Sequence, residues 1–161
     1  AVDWRLIEAY VLESQGDLSS ALRLYEDARV RVGSTWQSSI LAISARRRIE
    51  PEWDAVPAIQ SLMQSDILSP AAFSECCLLL GDVYLQRRQN ANARRWWEYA
   101  VASGMDSPEL RVRLAMAQAG PGGNQDRARE LLANVTEEDP GNPDSWNAYA
   151  KLLLSTKDFR G

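Results

Sequence analysis

The chain has no histidine among its 161 residues. This absence excludes acid–base catalysis by imidazole, the serine or cysteine triads that depend on it, and most zinc sites. The only two cysteines, Cys76 and Cys77, are neighbours in the sequence. Neighbouring side chains on a helix point about 100° apart, so a disulfide between them would need strained geometry. We therefore predict two free thiols, no catalytic site, no metal site and no cofactor.

Long apolar runs and an excess of positive charge are also missing. No run approaches the roughly 20 apolar residues that a membrane-spanning helix requires, and the first residues lack the pattern of a signal peptide. The net charge of −4 gives no general attraction to phosphate, which argues against nucleic acid as a partner. We predict a soluble chain of the cytoplasm or periplasm. Because it opens at Ala1 without a methionine and in phase with a repeat, we expect a piece of a longer protein.

Stretches with the period-two alternation of a β-strand are few. Glycine, proline and other loop-forming residues instead divide the chain about every 12 to 18 residues, and the segments between them show apolar spacings of three and four. Three of these breaks carry a capping side chain followed by proline at the first helical position, at Ser69-Pro70, Ser107-Pro108 and Asn142-Pro143. Proline suits that position because its missing N–H would have no helical acceptor there. We therefore predict an all-α fold, with helices beginning at these three points.

Small and large residues recur together along the predicted helices. Alanines stand at spacings of 37, 35 and 35 residues, at Ala21, Ala58, Ala93 and Ala128. Four residues after each alanine comes a large side chain, at Tyr25, Leu62, Trp97 and Leu132. Seven residues after it comes a smaller one, at Ala28, Ser65, Ala100 and Val135. These positions share one helical face, so the pattern predicts a closely packed contact between paired helices.

This pattern resembles the tetratricopeptide repeat (TPR), whose 34-residue unit places Leu-Gly and Tyr on a first helix and Ala, Phe, Ala and Pro on a second. The best copy has the family's residues at Leu80-Gly81, Tyr84, Ala93, Trp97 and Ala100. In the weakest copy, Arg46 replaces the small residue expected where the two helices cross. The resemblance implies a right-handed α-solenoid of antiparallel helix pairs, a single array over 1–161. Its repeats would span about 2–35, 39–72, 74–107 and 108–142, with a half repeat at 143–161.

The resemblance also implies where a partner binds, because the first helices of TPR proteins line a concave face. The inward positions fall on Leu6, Tyr10, Ile43, Arg47, Leu78, Asp82, Leu85, Val112, Met116, Asn147 and Lys151. The lysine and asparagine clamp that some relatives use to hold a peptide carboxylate is missing, since its positions hold Tyr10, Arg47, Asp82 and Met116. Such a lining favours an amphipathic helix or an apolar peptide. The alternative is that some of these residues only pack between repeats.

The function that the resemblance implies is a non-catalytic scaffold that binds a protein or peptide within a larger assembly, such as a bacterial secretion or export machine. Two alternatives stay open: an RNA-binding helical-repeat module, or an accessory domain of a larger enzyme. We also expect self-association through the half repeat. Of the six tryptophans, Trp97 and Trp146 occupy core positions of the repeat. The others, expected to be partly exposed, are Trp4, Trp36, Trp53 and Trp96.

Overall fold

The computed structural model describes residues 3–31, 35–65 and 68–156, and every regular element in these ranges is an α-helix. The nine helices of this part of the chain are α1 (Trp4–Ser14), α2 (Leu18–Arg29), α3 (Trp36–Ile49), α4 (Val56–Met63), α5 (Pro70–Gln86), α6 (Asn90–Ala102), α7 (Pro108–Ala119), α8 (Gln125–Glu138) and α9 (Pro143–Thr156). The prediction of an all-α fold is confirmed. The end of the expected half repeat, 157–161, lies outside the described residues.

The three predicted proline starts are confirmed. Helices α5, α7 and α9 begin at Pro70, Pro108 and Pro143. The Ala72 N–H donates to Ser69 Oγ at 3.1 Å, and the Leu110 N–H donates to Ser107 Oγ at 3.2 Å. Before α9, Asn142 Oδ1 accepts the N–H of Asp144 at 3.0 Å. Each cap satisfies a backbone donor that lacks a helical acceptor, so these residues fix where the first helices begin.

The chain forms two compact units, Ala1–Leu79 and Leu80–Gly161, and the division falls within α5. In the first unit, α1 packs on α2, α2 on α3, and α3 on α4. In the second unit, α6 packs on α7, α7 on α8, and α8 and α7 both pack on α9. From α1 to α4 and from α6 to α9, each helix therefore contacts the next one in sequence, as expected for stacked helical hairpins.

The first helix pair shows how a small residue positions a large one. Ala9 on α1 and Ala21 on α2 are fully buried, and Tyr25 is buried in the same cluster. The Tyr25 hydroxyl donates to Glu13 Oε2 at 2.8 Å, and Glu13 also pairs with Arg48 of α3. Burial, followed by the Glu13 hydrogen bond, raises the pKa of Tyr25. The phenol is therefore neutral and its one donor is satisfied, as a buried hydroxyl requires.

The second unit repeats this arrangement with Gly81 in the place of Ala9. Trp97 is fully buried, and a Cβ added at Gly81 would overlap its indole ring. Glycine is therefore required where α5 passes the tryptophan. In the next pair, Ala128, Leu132 and Val135 of α8 are all fully buried. Three of the four predicted alanine faces, those of Ala21, Ala93 and Ala128, are thus confirmed.

The second helix pair departs from the predicted register. Ala58, expected in the buried position, is only half-buried. The residues that α4 and its cap bury are Ala55, Ile59 and Leu62, which are 1%, 0% and 9% exposed. Each stands 34 residues after its equivalent in the first pair. The prediction that Ala58 begins the buried face is therefore wrong, because the register of this pair is shifted by three residues.

The cost of burying a charge explains the shift. Ala9 precedes Ala21 by 12 residues, and Gly81 precedes Ala93 by the same interval. In the observed register Ile43 holds the equivalent position, 12 residues before Ala55, and it is 7% exposed. The predicted register would put Arg46 there, and a guanidinium without a partner at a helix crossing is costly. Arg46 instead pairs with Glu50 at 3.2 Å and stacks 4.6 Å from the Trp53 ring.

The exposure of one tryptophan differs from the prediction. Trp97 is buried as expected, but Trp146 is 48% exposed. Its ring lies at the surface, where Nε1 donates to the Pro140 carbonyl at 3.0 Å, so its assignment to the core is wrong. The four tryptophans outside the repeat positions are partly exposed, as predicted. Trp4 is 76% exposed, and the other three, Trp36, Trp53 and Trp96, are half-buried.

Candidate functional site

The first unit brings few of its proposed partner-binding residues to the surface. Tyr10 is 68% exposed, whereas Leu6 is half-buried and packs against the core around Ala9. Ile43 is buried, and Arg47 is half-buried and engaged in an interaction of its own. Leu78 is half-buried as well. In this unit, Tyr10 alone among the proposed residues offers a large accessible apolar surface.

The second unit exposes more of the proposed residues on its first helices than the first unit does. Met116 of α7 is 40% exposed and Val112, one turn earlier, is half-buried. Asn147 and Lys151, also one turn apart, are exposed on α9, which packs directly on α7. Their i, i+4 spacing puts each pair on one helical face. The proposed residues of α7 and α9 therefore include apolar, polar and cationic side chains.

The end of α5 adds to this surface. Leu85 is 44% exposed, and Asp82, one turn before it, is half-buried. The Asp82 carboxylate pairs with Arg113 Nε of α7 at 3.3 Å, which joins the two first helices. Both side chains retain solvent contact, so the ion pair contributes little to stability and mainly orients the groups. Within the second unit, α5, α7 and α9 thus each supply exposed members of the predicted set, at Leu85, Met116, and Asn147 with Lys151.

A cleft that the repeat pattern does not predict lies in the first unit, between α2, α3 and α4. We name it the α4 cleft; its two lobes have open volumes of about 120 and 280 Å³. Both lobes are lined by Arg29, Ile43 and Ala58; the smaller adds Glu26, Ala42, Arg46 and Trp53, and the larger adds Ser39, Ser61, Leu62 and Ser65. The signal for it in the sequence was Arg46 at the expected helix crossing, together with Ser39 on α3 and two serines one turn apart, Ser61 and Ser65.

The two thiols are not placed for chemistry. Burial raises the pKa of the Cys76 thiol to about 12 and that of Cys77 to about 11, from an ordinary value of 9.0. Both thiols are free and buried, as predicted. A protonated, inaccessible thiol is a poor nucleophile and a poor metal ligand. Within 3–31, 35–65 and 68–156, no three histidine, cysteine or acidic residues cluster as metal ligands would, and no helix is long and apolar enough to cross a membrane.

No protein-family model matches the sequence, and no curated protein is similar to it. Solved structures are similar to its fold. The crystal structure of YrrB, a TPR protein with an unusual peptide-binding site, aligns with a TM-score of 0.65 at 22% identity, over 97% of this chain and 78% of YrrB. The crystal structure of MamA aligns with a TM-score of 0.68 at 15% identity, over 92% of this chain and 84% of MamA.

A third similar structure is the C-terminal TPR-containing domain of a Plasmodium falciparum protein, with a TM-score of 0.50 and 17% identity over 97% of this chain and 88% of that domain. These likenesses extend over nearly the whole chain. Together with helices packed in sequence as pairs, they show that the chain has the TPR fold. The predicted resemblance is confirmed at the level of the fold.

Proposed function

We propose that this chain is a non-catalytic scaffold that binds a peptide, a helix or a partner protein through its first helices. The observation that supports the proposal most is the exposure of Leu85, Met116, Asn147 and Lys151 on the first helices of the second unit. TPR proteins typically bind proteins or peptides with this side of the fold, and an apolar helix face fits such a groove. Tyr10 is the corresponding anchor in the first unit.

The proposed binding residues form the full set predicted from the repeat: Leu6, Tyr10, Ile43, Arg47, Leu78, Asp82, Leu85, Val112, Met116, Asn147 and Lys151. We expect the exposed aromatic and apolar members to contribute most of the affinity, because hot spots concentrate in large side chains that become desolvated. The half-buried members would shape the surface. Ile43 is expected to contribute least, since it is already buried within the fold.

A peptide selection tests the proposal without a known partner. Random peptides displayed on phage are selected against the wild-type chain, and the affinities of the enriched peptides are then measured for two variants. We expect Leu85→Ala combined with Met116→Ala to lower affinity by about tenfold or more, because two anchors are lost. The matched control removes two comparably exposed apolar side chains from a second helix, Tyr99→Ala and Val101→Ala on α6. Peptides that bind both variants equally well would refute the proposal.

The second part of the proposal concerns the kind of assembly in which the chain acts. We place the chain in a multi-protein complex such as a bacterial secretion or export machine, which is supported only by how the TPR fold is commonly used. Chemical cross-linking in cells that express the chain should capture a protein partner, and the double variant Leu85→Ala, Met116→Ala should lose it. If the cross-linked species is RNA, and it dissociates as the salt concentration rises, the RNA-binding alternative replaces this one.

Self-association through the half repeat stays a prediction. Trp146 and Leu154 of α9 are 48% and 57% exposed, which gives this helix an apolar surface of its own. Exposed apolar patches of this kind often become contacts between molecules. Sedimentation velocity over a rising concentration series should show reversible dimer formation, which Leu154→Ser should weaken. A single monomeric species at every concentration would exclude it.

A further inference from the structure

The α4 cleft exists because the second helix pair could not adopt the close packing of the others. Ile43 stands where the first pair has Ala9, so α3 and α4 cannot approach as closely. Ala42 and Ala58 are too small to fill the space beside it. Arg46 lines the smaller lobe, where its guanidinium is held by Glu50 and the Trp53 ring. The cleft is therefore a consequence of the shifted register and not a gap in a regular repeat.

The interior of the cleft is apolar. Ala42, Ile43 and Leu62, at 5%, 7% and 9% exposed, contribute buried surface to its lining, and the half-buried Ala58 adds a methyl group. Its larger lobe, at about 280 Å³, has room for an aliphatic side chain. Burying such a side chain would contribute in proportion to the apolar area removed from water.

The opening of the cleft favours a negative ligand. Arg29 lines both lobes, is exposed and makes no ion pair with any residue of the described ranges. Arg46 lines the smaller lobe but already pairs with Glu50. Glu26 also lines that lobe, so the cation that can receive a ligand is Arg29. A carboxylate would pair with Arg29, whereas a lysine placed beside it would meet repulsion.

Hydroxyl groups complete the site. Ser39 of α3 and Ser61 of α4 line the larger lobe from facing helices. Serine hydroxyls both donate and accept hydrogen bonds, so they can bind the amide groups of an extended backbone. We propose that the α4 cleft is a second binding site, which accepts one aliphatic side chain of a peptide whose neighbouring acidic residue pairs with Arg29. It is separate from the first-helix surface of the second unit and does not depend on that surface binding anything.

Three short probes test this proposal on the full chain labelled with nitrogen-15. Acetyl-Glu-Leu-Glu-amide should produce saturable NMR shifts at Ser39, Ile43, Ser61 and the Trp53 indole, with a dissociation constant on the order of 1 mM. Acetyl-Glu-Gly-Glu-amide lacks the aliphatic side chain and should give no saturable shifts there. Acetyl-Lys-Leu-Lys-amide should bind at least about fivefold more weakly, because its charges oppose Arg29.

Two variants locate the interaction. Ala58→Leu fills the cleft and should abolish binding of the acidic probe, whereas Ala71→Leu, the same change at an exposed position of α5, should leave it unchanged. Arg29→Gln should lower affinity for the acidic probe by about fivefold and leave acetyl-Gln-Leu-Gln-amide unaffected. Leu85→Ala with Met116→Ala should change neither result, which separates this site from the proposed function.

The proposal is overturned by any of three results: no saturable shifts at these residues, equal binding of the glycine probe, or equal binding of the lysine probe. Unchanged binding to a folded Ala58→Leu variant would also overturn it. The amide spectrum of each variant, compared with that of the wild type, shows whether the variant is folded. A shift pattern centred on the second unit would support the first-helix surface and exclude the α4 cleft as the site of these probes.

Discussion

The second and third helix pairs solve the same packing problem in different ways. In the third pair, Gly81 lets α5 pass against the indole of Trp97, which is fully buried. In the second pair, the equivalent position holds Ile43, the largest residue buried in α4 is Ile59, and a cleft remains beside them. The size of one residue at the helix crossing therefore decides whether a hairpin is filled completely or keeps an open site.

The comparison also shows what a repeat pattern can tolerate. A shift of three residues returns nearly to the same face of a helix, so α4 can exchange Ala58 for Ala55 without exposing its core. The exchange places an isoleucine at the crossing in the place of an arginine and removes the cost of a buried charge. A departure from the consensus thus changes the register of one pair without changing the fold.

The largest effect is expected from enlarging the crossing residue of the well-packed pair. Gly81→Ala should destabilise the chain by about 3 kcal/mol, because the overlap with Trp97 outweighs the ~1 kcal/mol that alanine gains over glycine in a helix. Urea denaturation followed by circular dichroism measures the loss. In a Trp97→Leu background the same change should cost less than about 0.5 kcal/mol, because the overlap is gone. An equal cost in both backgrounds would contradict the steric account.

A smaller loss is expected from the alanine that faces the same crossing. Ala93→Leu should cost about 2 kcal/mol, because Ala93 is fully buried and the added atoms have no space. Ala102→Leu, at an exposed position of the same helix, provides the control and should change stability by less than about 0.5 kcal/mol. Thermal unfolding of the two variants compares them directly. Equal midpoints would show that α6 does not pack through Ala93.

The smallest effect concerns the thiols, and it appears only at alkaline pH. Because the pKa values of Cys76 and Cys77 are raised to about 12 and 11, their burial as neutral groups stabilises the fold fully below pH 9. This contribution is lost as the pH rises from about 9 towards 12. The denaturation midpoint of the wild type should therefore fall more steeply over this range than that of Cys76→Ala, Cys77→Ala. If the midpoints of the wild type and the double variant fall equally steeply, the thiols are not the cause of the loss. Rapid labelling of the thiols in the folded chain at pH 8 would also contradict their burial.

Most of the fold could be predicted from the sequence because its signals are local. Serine or asparagine before proline fixes a helix start within a few residues, and the alanine spacing identifies three of the four hairpins. The register of the remaining hairpin, formed by α3 and α4, could not be predicted from spacing, since Ala55 and Ala58 are both small and lie near one face. Choosing between them requires comparing the free energy of burying Ile43 at the helix crossing with that of burying Arg46 there. That difference depends on how the two helices pack.

The candidate sites were less predictable than the fold. The repeat identified the first-helix positions but not how exposed each would be, and accessibility ranges from 68% at Tyr10 to 7% at Ile43. The exposed ring of Trp146 was missed because the repeat position is normally covered. The α4 cleft was missed because it lies between three helices, and its volume depends on how closely they approach. Side-chain packing decides these features, and no spacing rule contains it.

The central claim is that the second hairpin packs through Ala55 and leaves Ala58 at an open cleft. Chemical denaturation of Ala55→Leu and Ala58→Leu tests it most directly, since the same side chain is added three residues apart. We expect a loss of about 2 kcal/mol for Ala55→Leu and a change within about 0.5 kcal/mol for Ala58→Leu, because only the first position is closely packed. A large loss at Ala58 with little change at Ala55 would restore the register predicted from spacing and contradict the account.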